Sequence, residues 1–119
     1  MKLLDEMYQI KREEDRLVSI AFSPEHVIYK AHFPGKPITP GVCIIKILGE
    51  LLERKTRQPL SLREVKNLKF VNPISPIDDP EVDVTFQDIS QDGSEVRARG
   101  VILNSEKIYT KFSLIFEKA

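Results

Sequence analysis

The chain has 119 residues, with 18 Lys and Arg, 18 Asp and Glu, two histidines and a single cysteine. This length fits one domain, residues 1–119, and zero net charge argues against nucleic-acid binding, which needs a basic excess. The Cys and His counts exclude an internal disulfide and a Cys/His zinc site, so no metal or cofactor is expected. The acidic N-terminus and the lack of a long apolar run predict no signal peptide and no membrane span, hence a cytoplasmic location.

The first third of the chain predicts short elements. Residues 3–10 are predicted as a helix because Leu3, Leu4 and Met7 share one helical face, and residues 11–16 as a charged connector. Residues 16–22 alternate apolar and polar side chains and predict a strand, and residues 27–31 predict a second extended run.

A long helix is predicted from Pro40 to about Lys55. Its apolar side chains share one broad face, and its polar side chains lie opposite. Thr39 is expected as the N-cap and Pro40 as the first helical residue. Lys46 and Glu50 belong to the polar side, so we expect both to point away from the chain's own core.

The chain after Pro59 is predicted as sheet. Residues 67–72 are extended, residues 82–86 alternate, and Asp92-Gly93 is typical of a hairpin turn. Residues 96–103 and 108–116 then continue an antiparallel meander. One apolar-faced helix and five or six strands predict an α+β layer in which the sheet wraps the helix.

The segment before the long helix carries a specific motif. Residues 32–42, HFPGKPITPGV, hold three prolines and two glycines and predict a stiff loop. The motif resembles the signature His-Phe-Pro-Gly-x-Pro-x-x-Pro-Gly-Val of the hotdog-fold 3-hydroxyacyl-[acyl-carrier-protein] dehydratases of the FabZ and FabA type. Every fixed position matches. Residues 69–73, KFVNP, and the meander extend the resemblance over nearly the whole chain. The resemblance implies a hotdog fold, in which a six-stranded antiparallel sheet wraps one central helix and two subunits share their active sites.

The resemblance also implies a site. His32 would be the base that removes the α-proton of a 3-hydroxyacyl thioester, because histidine titrates near neutral pH. The backbone N–H of Gly41 or Val42 would bind the thioester oxygen as negative charge develops there. The substrate-binding residues that the resemblance implies are Phe33, Pro34, Gly35, Pro40, Gly41 and Val42.

The chain departs from the family at the catalytic acid. The family has this acid fourteen residues after the histidine, where this chain has Lys46, and commonly has glutamine at eighteen, where this chain has Glu50. In one interpretation Glu50 or Lys46 replaces the acid in an active dehydratase of fatty-acid or related lipid biosynthesis. In a second, the chain is a weak or inactive catalyst that binds acyl carrier protein with an unlike partner. In a third, it is an acyl thioesterase.

The expected partners follow from the same resemblance. They are acyl carrier protein or an acyl thioester, and a second hotdog subunit in a homodimer, a higher oligomer or a heterodimer. No nucleic-acid or membrane partner is expected.

Overall fold

The computed structural model describes residues 2–31, 35–105 and 107–119. In these ranges the helices are α1 (Val27–Ala31) and α2 (Gly41–Thr56). The strands are β1 (Tyr8–Glu13), β2 (Leu17–Phe22), β3 (Leu60–Phe70), β4 (Glu81–Asp92), β5 (Glu95–Leu103) and β6 (Ile108–Lys118). All the strands pair antiparallel in one sheet with the order β1-β2-β4-β5-β6-β3. The predicted α+β hotdog architecture, one sheet around one long helix, is confirmed.

Helix α2 provides the centre of the core. Its apolar face is buried in one cluster with the inward side chains of the sheet, as the helical spacing predicts. The buried residues of this face are Ile44, Ile47, Leu48, Leu51 and Leu52. The helix and the sheet therefore stabilise each other through one continuous apolar interface.

The meander follows the predicted alternation. In β4 the side chains of Val82, Val84 and Phe86 are buried, while the residues between them are partly exposed. The turn from β4 to β5 contains Gly93 with φ of 62°, a left-handed conformation that suits glycine. The predicted Asp92-Gly93 hairpin is confirmed.

The predicted helix over residues 3–10 is wrong. Leu4 makes an isolated bridge to Tyr8, the chain turns at Asp5 with φ of 67°, and β1 begins at Tyr8. β1 continues through half of the predicted charged connector. The spacing of Leu3 and Met7 fits a helix, but a turn also buries both side chains. A segment this short has too few residues for the spacing to distinguish a helix from a turn.

Residues 27–31 form helix α1 rather than an extended run. The N–H of Ile28 donates to Nδ1 of His26 at 3.2 Å, and the N–H of Tyr29 donates to the His26 carbonyl at 3.0 Å. These bonds satisfy donors that a helix start leaves free. Tyr29 is the buried residue of this turn.

Strand β3 begins at Leu60, seven residues before the predicted start at Asn67. Nearly all of its residues are exposed, because β3 forms one edge of the sheet. Its sequence therefore lacks the alternation of apolar and polar residues that identifies a half-buried strand. In the described part of the chain, no helix is long and apolar enough to cross a membrane.

Candidate active site at the start of helix α2

The start of helix α2 has free hydrogen-bond donors. Pro40 is the N-cap, with extended backbone (φ −61°, ψ 146°) and no side-chain cap. Its carbonyl accepts the N–H of Cys43 at 3.0 Å and of Ile44 at 3.1 Å. Within the described residues, the N–H groups of Gly41 and Val42 have no acceptor. Such donors favour an anionic or carbonyl oxygen at this end of the helix.

The predicted capping arrangement is wrong by one residue, since Pro40 rather than Thr39 is the N-cap and the helix begins at Gly41. Thr39 is buried, and its hydroxyl lies 2.8 Å from the Tyr29 hydroxyl. Its N–H donates to the Ile74 carbonyl at 2.8 Å. Burial raises the pKa of Tyr29 to about 12, against the opposing effect of the bond to Thr39, so Tyr29 is neutral near pH 7.

Gly41 allows an aromatic ring to approach the helix start. A Cβ atom at this position would lie 2.8 Å from Cζ of Phe70, too close for any other residue without a shift of the ring. Phe70 is half exposed and borders a depression of about 300 Å³ together with Gly41, Ile44 and Ile74. The free N–H groups therefore lie beside a small, largely apolar hollow.

His32, Phe33 and Pro34, predicted as the base and as substrate-binding residues, lie outside the described residues. In the remainder of the motif, Lys36 Nζ lies 3.6 Å from Oδ2 of Asp78. This ion pair and the Thr39–Ile74 bond connect the motif to the loop over residues 73–80.

Glu50 does not point away from the chain's own core, and that expectation is wrong. Its side chain is 3% exposed. Oε2 accepts the N–H of Leu3 at 2.7 Å, and Oε1 accepts the N–H of Leu4 and the hydroxyl of Tyr8, both at 2.9 Å. Burial and the Glu50 carboxylate together raise the pKa of Tyr8, so this hydroxyl keeps its proton and donates. The helical spacing placed Glu50 among the polar side chains of α2, but it could not show that residues 3–8 cover that side.

Lys46 is a charged group that this side of α2 exposes. Its side chain is 48% exposed, and Nζ lies 3.9 Å from Oε2 of Glu50. It borders a groove of about 430 Å³ between α2 and β3, whose apolar walls include Ile45, Leu62 and Phe116. A ligand in this groove would meet the Lys46 ammonium group, whereas most of the Glu50 carboxylate is covered.

Two residues of this region were missed at the sequence level. Tyr29 lies in a run interpreted as extended, and no motif marks it. Phe70 belongs to the KFVNP stretch that carries the resemblance, which is a signal for its position but not for its contact with Gly41. Within the described ranges, no group of three or more His, Cys, Asp or Glu side chains could hold a metal ion.

The fold and the motif together define a hotdog-fold protein of the dehydratase type. A sequence model of the ApeI-like family, described as ApeI dehydratase, matches residues 8–101. The chain belongs to the ApeI-like family.

A shorter stretch of the chain is similar to another dehydratase. A 3-hydroxyacyl-[acyl-carrier-protein] dehydratase FabZ of Wolbachia sp. subsp. Drosophila simulans (strain wRi) is 41% identical over 54 residues. The aligned stretch covers 40% of this chain and 38% of that relative's length.

Solved structures share the fold. The dehydratase heterocomplex ApeI:P from Xenorhabdus doucetiae aligns with a TM-score of 0.59 and 16% identity, over 91% of this chain and 93% of that one. A hypothetical thioesterase protein with coenzyme A from Streptococcus pneumoniae TIGR4 aligns with a TM-score of 0.66 and 10% identity, over 97% and 89%. At these identities the likeness establishes the fold, which dehydratases and thioesterases have in common.

Proposed function

We propose that the chain is a subunit of a hotdog dehydratase that removes water from 3-hydroxyacyl thioesters carried by acyl carrier protein, in fatty-acid or related lipid biosynthesis. One observation carries the proposal. The intact HFPGKPITPGV motif leads directly into a helix whose first N–H groups, at Gly41 and Val42, have no acceptor among the described residues. Membership of the ApeI-like dehydratase family supports the same reaction.

The proposed reaction uses these groups in order. His32 takes the proton from Cα, and the electron pair of that C–H bond moves into an enolate whose negative charge falls on the thioester oxygen. The N–H of Gly41 or Val42 donates to this oxygen. The enolate then re-forms the carbonyl, a Cα–Cβ double bond forms, and the Cβ–OH bond breaks. The leaving hydroxide takes one proton from an acid and departs as water.

Lys46 is the acid that the chain itself offers at the family's position. Glu50 is poorly suited to this role, because Leu3, Leu4 and Tyr8 all donate hydrogen bonds to its carboxylate. These three bonds and its burial keep the carboxyl group away from a leaving hydroxyl in the groove. The Lys46 ammonium group is half exposed and carries protons that could reach the leaving hydroxyl.

A second arrangement places the acid on an unlike subunit. The enclosure of Glu50 and the Lys46 substitution favour it, because neither provides an available carboxylic acid where the family has one. For the Xenorhabdus relative, the structure is described as a heterocomplex. In this arrangement the present chain would contribute His32 and the helix donors, and its partner would contribute the acid.

Hydration of a trans-2-enoyl thioester, the reverse reaction, tests the base. We expect His32→Ala to lower the rate at least about a hundredfold, since a positioned general base contributes about 10²–10⁴. His26→Asn is the matched control, because His26 lies outside the motif and the asparagine oxygen can still accept the N–H of Ile28, so its rate should stay close to that of the wild type. Equal rates for wild type and His32→Ala would reject His32 as the base.

Substitutions at Lys46 separate the sources of the acid. If Lys46 donates the proton, Lys46→Met should lose about a hundredfold in rate. If an unlike subunit donates it, the isolated chain should be nearly inactive, Lys46→Glu should raise its rate, and a co-purified hotdog subunit should restore full activity. Hydrolysis of acyl thioesters without hydration of enoyl thioesters would favour the thioesterase interpretation instead.

A further inference from the structure

Phe70 places an aromatic ring against the start of helix α2. The tip of the ring, Cζ, lies 2.8 Å from the position that a Cβ atom of Gly41 would occupy. Phe70 is nevertheless 51% exposed, so part of it contacts the helix start while the rest is open to a ligand. Ligand pockets combine apolar walls with a few placed polar groups, and here the ring lies beside the free N–H groups of Gly41 and Val42.

The backbone that carries the ring is held in place. Phe70 is the last residue of β3 and lies opposite the buried Thr110 of β6. Beyond the strand, the N–H groups of Val71 and Asn72 both donate to the Tyr109 carbonyl, at 2.7 and 3.1 Å. The ring therefore reaches α2 from a fixed base, and the space beside it has a defined size.

The hollow beside the ring has the chemistry of an acyl-chain site. Its volume is about 300 Å³, and its apolar walls include Ile38, Ile44, Pro73 and Ile74 together with Phe70. The arm that joins a thioester to its carrier protein contains amide groups, which would lose hydrogen bonds to water against such walls. The hydrocarbon of the acyl group gains free energy there instead. The hollow therefore suits the acyl side of the thioester better than the carrier side.

The N–H donors determine which part of the acyl group meets the ring. In the proposed function, the N–H of Gly41 or Val42 binds the thioester oxygen. Cα is bonded to the same carbonyl carbon as that oxygen, so a substituent on Cα lies only a few bonds from the donor. Because Gly41 also borders the hollow and contacts the Phe70 ring, such a substituent competes with the ring for the same space.

We propose that Phe70 is a specificity-determining residue, whose ring fills the space beside Gly41 that a substituent on Cα would need. The ring selects acyl groups that are unbranched at Cα over 2-methyl-branched ones. This inference rests on the proposed function, because it names the acyl class that the same site accepts. Phe70 contacts the substrate in this role and takes no part in proton transfer.

A pair of substrates that differ by one methyl group measures this selectivity. The full chain and its variants are assayed for hydration of trans-2-butenoyl and 2-methyl-trans-2-butenoyl thioesters of acyl carrier protein. We expect Phe70→Ala to shift the ratio of the two kcat/KM values at least about tenfold toward the branched substrate, since one methylene group in a pocket is worth about 10–200-fold. Phe70→Leu should lie between Phe70→Ala and the wild type. A merely structural defect would lower both kcat/KM values and leave their ratio unchanged.

Val71→Ala is the matched control for Phe70→Ala. Val71 is also half exposed and apolar, but it lies outside the hollow, so its ratio should equal that of the wild type. Sedimentation compares the masses of Phe70→Ala and the wild type, because Phe70 also ends the edge strand β3. A wild-type ratio in Phe70→Ala would overturn the inference. A change of mass in this variant would assign the ring to a subunit interface and would also overturn it.

Binding without reaction separates this inference from the proposed function. Butanoyl and 2-methylbutanoyl thioesters of acyl carrier protein are saturated and cannot be hydrated, and calorimetry measures their Kd values. We expect Phe70→Ala to shift the ratio of these Kd values at least about tenfold toward the branched ligand. If this shift occurs but the wild type hydrates neither enoyl thioester, the dehydratase function fails and the selectivity of Phe70 stands. An unchanged Kd ratio, or a wild type that binds neither ligand, would refute the selectivity.

Discussion

Glu50 is a residue whose surroundings differ from what its spacing suggests. Three donors from residues 3–8 converge on its carboxylate, and they lie 42 to 47 positions earlier in the chain. The carboxylate therefore fastens the N-terminal segment to the middle of helix α2. This role is structural, and it differs from the role of proton donor that the sequence allowed.

Replacement of Glu50 by glutamine should cost stability. The side-chain NH2 of glutamine is itself a donor. It would therefore face at least one of the N–H or O–H groups that now donate to the carboxylate. We expect Glu50→Gln to lower the free energy of unfolding by about 2–3 kcal/mol, because a buried donor then remains unsatisfied. Urea denaturation monitored by circular dichroism measures the change.

Glu53→Gln is the matched control for Glu50→Gln. Glu53 lies on the same helix but accepts a single backbone N–H, from Leu60 at 2.9 Å, and a glutamine oxygen can still accept it. We expect a loss below about 1 kcal/mol for this variant. An unchanged stability of Glu50→Gln together with abolished enoyl hydration would contradict the structural role and support Glu50 as the acid.

At the residue scale, the sequence could predict the part of the site that a motif marks. The motif identified Gly41 and Val42 at the start of a helix, and the structure places them there with free N–H groups. The surroundings of Glu50 and the Tyr29–Thr39 bond could not be predicted. Both arise from contacts between distant segments or between residues without a motif, which local spacing does not encode.

At the scale of the elements, the close pairing of strands β4 and β5 depends on Gly100. Gly100 lies beside a register shift between Phe86 and Asp88. A Cβ atom at Gly100 would collide with the backbone oxygen of Thr85 and would lie 2.7 Å from Cζ of Phe112. The close approach of the two strands at this point therefore requires a residue without a side chain.

Gly100→Ala should destabilise the protein by about 2–3 kcal/mol, because the strands must separate to admit the methyl group. Gly49→Ala in helix α2 is the control. Its new Cβ would lie 3.2 Å from the end of the Phe116 ring, which can move, and alanine favours a helix over glycine by about 1 kcal/mol. Thermal unfolding should show a lower Tm for Gly100→Ala and an equal or higher Tm for Gly49→Ala. Equal Tm values for both variants would contradict the collision.

The elements that were predicted correctly are those with many turns or repeats of one period. Helix α2 and the strands β4 to β6 repeat their pattern often enough to exclude other structures. Residues 3–10 and 27–31 are too short for this, and each was assigned the wrong structure. The structure of such short segments depends on turns and caps, as the contacts of His26 with α1 illustrate.

At the scale of the whole molecule, the sheet ends in two edge strands, β1 and β3. Strand β3 is the edge opposite β1, and it exposes apolar side chains such as Leu62 and Val65. A long exposed edge with apolar side chains is a surface on which another chain can pair. We therefore propose that the chain associates through β3 as a dimer, either with a second copy or with an unlike hotdog subunit.

Sedimentation at micromolar concentration measures this association. We expect a mass twice the 13.7 kDa of the chain for the homodimer. Val65→Lys should favour the monomer, since charges on an edge strand oppose pairing. Ile77→Lys is the control, because Ile77 is also exposed but lies in the loop over residues 73–80. A wild-type chain that is monomeric both alone and with hotdog subunits would refute the assembly.

The order of the strands has a consequence for how the chain reaches its native state. β3 pairs with β6, so that Leu60 lies opposite Lys118, and β2 pairs with β4, although α2 and β3 lie between them in the chain. During synthesis on the ribosome, helix α2 emerges before strands β3 to β6 of the sheet that covers it. Its apolar face therefore cannot be completely buried until the last of these strands has left the exit tunnel, which makes folding dependent on late, long-range pairing.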